Sequence, residues 1–293
     1  MSRLGVAPTP RGIPRWKLLE GLPEGTPRVE YSNMEELHSV IEAQAGECYR
    51  DNTCSPFLIV LGIPDTVLEE FDSIYQDKGP RVSANIHEKT LIIETMVGHS
   101  HERLTQRIGR HVTEMLLQMG IRKELGELGA GRDETQGLVY VKEPDLSWVL
   151  DGEQWPTLVL EVGWSEKAEK LASDAHGWLE TEGSATEVVI TAKLDQDCAH
   201  IDFAVWELAS EPARTTRSYR KSAQQTQRVE VSRKGGDITA SSSLVVSFKK
   251  IFRREPAADQ EGDLIFTKER LIDIAEWAWA EVGSELADYE QAG

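Results

Sequence analysis

A carboxylate interrupts an apolar run of the sequence at Glu161. The run 158–163 is Leu-Val-Leu-Glu-Val-Gly, and a continuous apolar run of this length is typical of a central strand in a helix-covered sheet. A charged glutamate is almost never buried without a partner, because removing the charge from water costs several kcal/mol. We therefore expect the Glu161 side chain to reach a cleft, or to be compensated by a cation or a proton.

A second carboxylate, Asp145, ends the strand-like run 139–145 that precedes Glu161. Sequential strands are neighbours in about two-thirds of cases, so we expect the two carboxylates to lie close together. Mg²⁺ is commonly held by one or two carboxylates plus water and substrate phosphate. Such an ion lowers the pKa of a bound water and offsets charge on a phosphodiester. The pair therefore predicts a site for Mg²⁺ or Mn²⁺.

The distribution of charge restricts the choice of partners. The chain has 293 residues, 40% of them hydrophobic, and a formal net charge of −18. This charge is unfavourable for a general nucleic-acid binder, because phosphate affinity comes largely from Lys and Arg. Basic residues nevertheless concentrate in 214–234, namely Arg214, Arg217, Arg220, Lys221, Arg228, Arg233 and Lys234. This stretch is interpreted either as a solvated linker or hairpin, or as a surface that contacts nucleic-acid phosphates.

The cysteines and the N-terminus indicate a cellular location. Cys48, Cys54 and Cys198 are an odd number without metal-ligand spacing, which predicts free thiols in a reducing compartment. The N-terminus has no apolar signal core, and no stretch approaches the roughly 18 apolar residues of a membrane helix. We expect a soluble protein of the cytoplasm or nucleus, without a membrane partner.

The order of predicted elements indicates an α/β fold. Helices are predicted at 34–45, 65–75, 101–119, 166–180 and 268–282. Strands are predicted at 57–61, 90–94, 139–145, 158–163, 187–191, 200–206, 244–248 and 262–266. This order predicts a mixed central sheet with helices on both faces. We divide the chain into a partly helical N-terminal extension (1–80), a core (81–250) and a C-terminal strand and helix that pack on the core (251–293).

Several segments together resemble a known group of proteins. They are 142–145 (Lys-Glu-Pro-Asp), 155–163, 165–166, 171–180 and 96–102 (Met-Val-Gly-His-Ser-His-Glu). Over about residues 88–208 the chain is similar to fungal proteins with a restriction-endonuclease-like domain of the PD-(D/E)xK superfamily, related to the bacterial Uma2-type domain. The resemblance implies a restriction-endonuclease-like core and metal-dependent hydrolysis of phosphodiester bonds.

The resemblance also implies roles for single residues. Asp145 and Glu161 match the two metal ligands, and Glu102 matches a carboxylate on the first core helix. His101 falls on the apolar face of that helix, where a core histidine is the expected role. The superfamily's lysine stands two residues after the glutamate, and this chain has Gly163 there.

Two lysines could substitute for the missing one. Lys142 is three residues before Asp145, which in a regular strand places it on the opposite face; only a bulge or a strand end would bring both to one site. Lys170 could reach the site from the following helix. Its simpler role is an i,i+4 pair with Asp174, worth a few tenths of a kcal/mol.

Two functions from different classes remain open. The first is a Mg²⁺-dependent phosphodiesterase acting on nucleic acid, with Lys142 or Lys170 as the auxiliary cation. The second is a catalytically inactive nuclease fold that serves as a binding or interaction module. Gly163 and the acidic net charge favour the second function.

Overall fold

The computed structural model describes residues 17–51, 54–75, 79–96, 98–128, 133–134, 140–195, 198–209 and 222–280. The helices are α1 (Met34–Arg50), α2 (Val67–Tyr75), α3 (His99–Met119), α4 (Ala168–Glu180), α5 (Phe248–Phe252) and α6 (Lys268–Trp279). The strands are β1 (Arg28–Glu30), β2 (Phe57–Leu61), β3 (Arg81–Asn85), β4 (Thr90–Glu94), β5 (Leu125–Leu128), β6 (Asp133–Glu134), β7 (Val141–Lys142), β8 (Leu146–Leu150), β9 (Leu158–Gly163), β10 (Val188–Leu194), β11 (His200–Leu208), β12 (Ala223–Lys234), β13 (Asp237–Ala240), β14 (Leu244–Val246) and β15 (Leu264–Phe266).

The strands form two large sheets and one small one. The first sheet has the order β1-β2-β4-β3-β7-β6, the second has the order β13-β12-β11-β10-β9-β8-β5, and β14 pairs with β15. Both large sheets are mixed: β1 runs parallel to β2 and β9 runs parallel to β10, while the other pairs are antiparallel. The predicted α/β class, with mixed sheet flanked by helices, is confirmed.

The first sheet takes strands from both sides of residue 80. Its β2 pairs with β4 across that position, and α1 and α2 pack their apolar faces on it through residues such as Leu37 and Phe71. Residues 28–75, predicted as part of an N-terminal extension, thus contribute β1 and β2 to a sheet. The division of the chain at residue 80 stays a prediction.

The second sheet is covered on both faces by helices. Alternate residues of a strand point to opposite faces, and β9 follows this rule. Leu158 and Leu160 belong to the core that includes α3, whereas Val159 packs in the core that includes Trp178 of α4. Glu161 has the parity of Val159, so its carboxylate is directed toward α4.

The predicted strand 139–145 is wrong, because the chain leaves one sheet and enters the other within it. β7 ends at Lys142 in the first sheet, and β8 begins at Leu146 in the second. Between them lies Glu143-Pro144-Asp145, in which Pro144 has no backbone N–H to offer a strand ladder. Asp145 therefore precedes a strand instead of ending one.

An N-terminal segment crosses α4. The backbone oxygen of Lys17 accepts a hydrogen bond from Ser173 Oγ at 2.8 Å, and Gly21 O accepts from Lys167 N at 3.0 Å. Gly21 has φ +76°, and a Cβ there would lie 2.1 Å from Lys170 N. Only glycine permits this close passage, which holds the segment against the start of α4.

Helix α3 is joined to α6 by an ionic cluster. Asp273 accepts a hydrogen bond from Arg107 Nε at 2.7 Å, and His111 Nε2 lies 2.6 Å from the same oxygen. The bond from Arg107, supported by His111, lowers the pKa of Asp273 although partial burial opposes the shift.

Within the described residues, no helix is long and apolar enough to span a membrane.

This cluster predicts a pH-dependent contribution to stability. A carboxyl group whose pKa is lower in the native state than its usual value of 3.8 stabilises the fold above that value, and the contribution is lost as the pH falls through the native pKa. We expect Asp273→Asn to unfold at lower denaturant concentration than wild type at neutral pH, with the difference closing below about pH 4. Urea unfolding at a series of pH values measures this, and a constant difference down to about pH 3 would contradict it.

Candidate active site

A small cavity lies where the two sheets meet. It encloses about 30 Å³, enough for one or two water molecules or a cation. The first sheet contributes Phe57, Arg81, Ser83, Ile92, Glu94 and Lys142. The second sheet, α4 and the adjoining loops contribute Glu143, Asp145, Glu161, Val162, Glu166, Lys170 and Asp174. Four of the five predicted site residues, namely Lys142, Asp145, Glu161 and Lys170, therefore line one cavity.

The crossing between the sheets explains how Lys142 and Asp145 reach the same cavity. In one regular strand they would point to opposite faces. Here Lys142 is the last residue of β7, and Asp145 comes immediately before β8 in the other sheet. The strand-end arrangement left open by the sequence is the one that occurs.

Glu161 is buried and has two polar partners. Its side chain is 3% exposed; Trp178 Nε1 donates to Oε1 at 2.5 Å, and Lys142 Nζ lies 3.3 Å from Oε2. Burial and the nearby Asp174 raise the pKa of Glu161 to about 7, against the opposing effects of Lys142 and Trp178. The surroundings therefore only partly compensate the charge of this carboxylate.

Asp174 holds both lysines of the cavity. Lys142 Nζ lies 3.2 Å from Asp174 Oδ2, and Lys170 Nζ pairs with Oδ1. Burial alone would lower the pKa of Lys142, but Asp174, Glu161 and Glu94 raise it above its usual value. Burial opposes ionisation of Asp174 as well, yet the two lysines lower its pKa. Lys170 thus makes the i,i+4 pair that its spacing indicates, and this pair lies inside the cavity.

Asp145 is engaged at both oxygens. Val162 N donates to Oδ2 at 2.6 Å, which ties the aspartate to β9. His101 Nε2 lies 3.1 Å from Oδ1, and Arg81 Nη1 contacts the same oxygen. The side chain is 6% exposed, so these groups replace most of the water that would solvate it.

Glu102 and His101 adjoin the cavity at the start of α3. Glu102 is 42% exposed and accepts from Arg81 Nη2 at 2.9 Å, so it is linked to Asp145 through the arginine and through His101, whose Nδ1 lies 3.7 Å from Glu102 Oε1. The polar contact with His101 and the charge of Arg81 lower the pKa of Glu102, although burial opposes the shift. His101 was expected to be a core histidine; it is buried, but it contacts Asp145, and its Nδ1 has no hydrogen-bond partner among the described residues.

Packing explains why residue 163 is a glycine. A Cβ at Gly163 would lie 2.8 Å from Leu171 Cδ1, 3.1 Å from Glu166 Oε1 and 3.1 Å from Lys193 Cδ. Lys193 is the partner of Gly163 in the β9–β10 ladder, and its Nζ donates to Trp164 O at 2.9 Å. The space that a side chain at 163 would need is filled by neighbours from α4, from the loop between β9 and α4, and from β10.

A lysine at this position is therefore expected to destabilise the protein. Gly163→Lys would force Leu171 and Glu166 to move, and overpacking of this kind typically costs about 1–3 kcal/mol. Guanidinium unfolding measures the loss, with Gly262→Lys as the control, because a Cβ at Gly262 meets nothing within 4 Å and its φ is not positive. An unfolding free energy for Gly163→Lys equal to that of wild type would contradict the packing argument.

The donor set fits a divalent cation in charge and in chemistry. Of the described residues that line the cavity, six are carboxylates and three are Arg or Lys. Oxygen donors suit Mg²⁺ and Mn²⁺, and a bound cation would offset the burial and the nearby Asp174 charge that raise the pKa of Glu161. No group of three or more His, Cys, Asp or Glu side chains in the described residues has a metal-holding arrangement, so the Asp145–Glu161 pair would need water to complete the coordination.

The basic stretch lies only partly within the described residues. Arg214, Arg217, Arg220 and Lys221 are outside them. On β12, Arg228 pairs with Asp202 at 3.0 Å, and the guanidinium of Arg233 lies 5.3 Å from the centre of the Trp279 ring. Two strands separate β12 from β9. A nucleic-acid contact through 214–234 stays a prediction.

Four residues of the site had not been identified from the sequence as site residues. Arg81, Glu166, Asp174 and Trp178 all contact the cavity or its carboxylates. Arg81 and Asp145 are 64 positions apart, and no local pattern relates them. For Trp178 a signal existed, since β9 and α4 are consecutive elements and Glu161 needed a donor.

Comparison with known proteins shows a similarity of fold. No family model matches the chain, and no curated protein matches it. Among solved structures, the chain is similar to a DUF820 protein from Anabaena variabilis that is described as a candidate nuclease, with a TM-score of 0.40 and 12% identity over 71% of this chain and 98% of that one. Similarity at this level assigns neither a family nor an activity to this chain, and the resemblance to fungal proteins stays a prediction.

Proposed function

We propose that this protein is a metal-dependent phosphodiesterase that acts on nucleic acid, with its catalytic centre in the cavity between the two sheets. The observation that carries the proposal is the position of Lys142, whose Nζ lies 3.3 Å from Glu161 in the cavity that Asp145 also lines. A cation beside two carboxylates is the arrangement that a phosphodiesterase needs for a phosphate and its attacking water. The chain thus has a lysine in the site although residue 163 is glycine.

Each residue has a separate task in this proposal. Asp145 and Glu161 would hold Mg²⁺ or Mn²⁺, which when bound supplies a nucleophilic hydroxide and polarises the phosphate. Lys142 donates to the attacking water or to a non-bridging phosphate oxygen and offsets the developing charge. Trp178 fixes Glu161 by its hydrogen bond, and Asp174 fixes Lys142. Lys170 neutralises Asp174 and so keeps Lys142 available to the substrate.

The size of the cavity decides how the substrate approaches. A space of about 30 Å³, which holds one or two water molecules, is too small for a nucleotide. The scissile phosphate must therefore meet the carboxylates at the mouth of the cavity, or the side chains around the mouth must move. Both routes predict a slow enzyme.

The alternative is an inactive binding or interaction module. A specific observation favours it: each oxygen of Asp145 and Glu161 already has an intramolecular partner, from Arg81, His101, Val162, Trp178 or Lys142. In that case the charges form a structural network, and the lysine stabilises the fold instead of a transition state.

Cleavage assays distinguish the two functions. Labelled single-stranded and double-stranded DNA and RNA are incubated with Mg²⁺ or Mn²⁺ and with wild type, Glu161→Gln or Glu182→Gln. Glu182 is an exposed glutamate beyond the end of α4 and serves as the control. We expect metal-dependent cleavage that falls at least about 100-fold in Glu161→Gln, the scale of losing one charge-stabilising group, and that persists in Glu182→Gln. Background cleavage by all three proteins would reject the phosphodiesterase and favour the inactive binding or interaction module.

A further inference from the structure

Arg81 joins two carboxylates that the proposed function places at the catalytic centre. The side chain leaves the first residue of β3 and is 16% exposed. Its Nη1 contacts Asp145 Oδ1, and its Nη2 lies 2.9 Å from Glu102 Oε1. Among the described residues that line the cavity, Arg81 is the one cation that contacts Asp145, whereas Glu161 and Asp174 are paired with lysines.

The guanidinium and a divalent cation compete for Asp145. Each carboxylate oxygen has about two lone-pair positions, and Oδ1 is already shared by Arg81 and His101. Oδ2 accepts from Val162 N and has one position left. A cation bound at that position would stand beside the fixed positive charge of Arg81, and like charges in a water-poor cavity repel strongly. Cation binding and the present position of Arg81 therefore disfavour each other.

Arg81 has a second use once it leaves Asp145. A guanidinium matches the geometry of a phosphate and can bind it through two parallel hydrogen bonds. Its side chain is 16% exposed and its second anchor, Glu102, is 42% exposed, so the guanidinium lies nearer to solvent than the 6% exposed Asp145. A substrate phosphate that comes to the mouth of the cavity would thus be within the reach of the same side chain.

We propose that Arg81 is an internal counterion that occupies Asp145 in the absence of a divalent cation and binds the substrate phosphate when a cation takes its place. This inference rests on the proposed function and deepens it. It assigns to Arg81 an antagonistic effect on metal binding and a favourable effect on substrate binding. A merely structural salt bridge would support both, because its loss would loosen the whole site.

Calorimetric titration of the full chain with Mn²⁺ alone tests the first part. Wild type is compared with Arg81→Met and with Arg228→Met, since Arg228 also pairs with an aspartate but lies outside the cavity. We expect Arg81→Met to bind Mn²⁺ about tenfold more tightly, within the range typical of coupled binding, and Arg228→Met to match wild type. Unchanged or weaker Mn²⁺ affinity in Arg81→Met overturns the inference, as does the absence of measurable binding in wild type and Arg81→Met alike.

A second variant and a second probe complete the test. If Arg81→Met does not fold, Arg81→Lys takes its place, because a lysine keeps the charge but cannot bridge two carboxylates. A smaller gain in Mn²⁺ affinity is then expected.

Fluorescence anisotropy with a labelled oligonucleotide in the presence of Ca²⁺ tests the second part. Arg81→Met should bind the oligonucleotide several-fold more weakly than wild type, and equal binding overturns the phosphate role. Neither readout requires cleavage, so an inactive wild type would reject the proposed function while the Mn²⁺ titration still decides the competition.

Discussion

Lys142→Met is expected to lower the free energy of unfolding by about 3–5 kcal/mol, the usual cost of removing one partner from a buried ion pair. The substitution keeps most of the length of the side chain but leaves Glu161 and Asp174, 3% and 4% exposed, without the cation that contacts both. Lys170 stays paired with Asp174, so the uncompensated charge falls mainly on Glu161. Guanidinium unfolding at neutral pH measures the loss.

Two further variants show whether the buried charge is the cause. Lys142→Met/Glu161→Gln removes both the cation and the negative charge that it compensates. We expect the double variant to be more stable than Lys142→Met alone. Lys89→Met removes a surface pair with Asp65, in which both side chains are about half exposed or more, and such pairs are worth about 0–1 kcal/mol. A loss for Lys142→Met no larger than that for Lys89→Met would reject the buried network as a stabilising element.

Divalent cations are expected to stabilise wild type and to leave Asp145→Asn unaffected. At a concentration of Mg²⁺ or Mn²⁺ about 100 times the Kd, binding to the native state adds about 2.7 kcal/mol. The entropy of unfolding grows with chain length, so for 293 residues, about 1 kcal/mol shifts the Tm by about 1.6 °C. A rise of about 4 °C follows. Removing the charge of Asp145 takes away one of the two ligands and abolishes the rise.

Differential scanning calorimetry with matched ionic strength measures this response. Equal ionic strength of KCl controls for general screening of surface charge, and Glu182→Gln controls for the loss of a carboxylate outside the cavity. A Tm that does not respond to millimolar Mg²⁺ or Mn²⁺ would mean that Lys142 and Arg81 already balance the carboxylates. That result would favour the inactive module over the phosphodiesterase.

Part of the site could be predicted because burial makes a charge conspicuous in a sequence. Glu161 stands in an apolar run, and its need for a partner led to Asp145 and to a nearby cation. Pro144 marked the break in the ladder that lets Lys142 and Asp145 share a cavity, but periodicity alone favoured one continuous strand. The class of fold followed from the order of helices and strands, since each is encoded by its own local pattern.

The remaining part depends on pairings between distant segments. Whether a strand joins the first or the second sheet is decided by long-range contacts, which no local pattern of apolar residues contains. Arg81 illustrates this: it begins an ordinary strand after Pro80, and only the approach of β7 to β3 and of β8 to β9 brings it to Asp145. Gly163 is a second example. The absence of a side chain there is explained by side chains of α4 and β10, and the sequence could not show that they pack beside it.

The tripeptide Glu143-Pro144-Asp145 makes the site sensitive to the alignment of the two sheets. Lys142 belongs to one sheet and Glu161 to the other, so their 3.3 Å contact depends on the offset between the sheets at this crossing of the chain. Sliding of one sheet on the other would separate lysine from glutamate while the hydrogen bonds between strands within each sheet were kept. Substitutions in the outer strands of either sheet, far from the cavity, would in this way inactivate the site in a protein that is still folded. A distant inactivating variant would then be evidence of misaligned sheets and not of a second site.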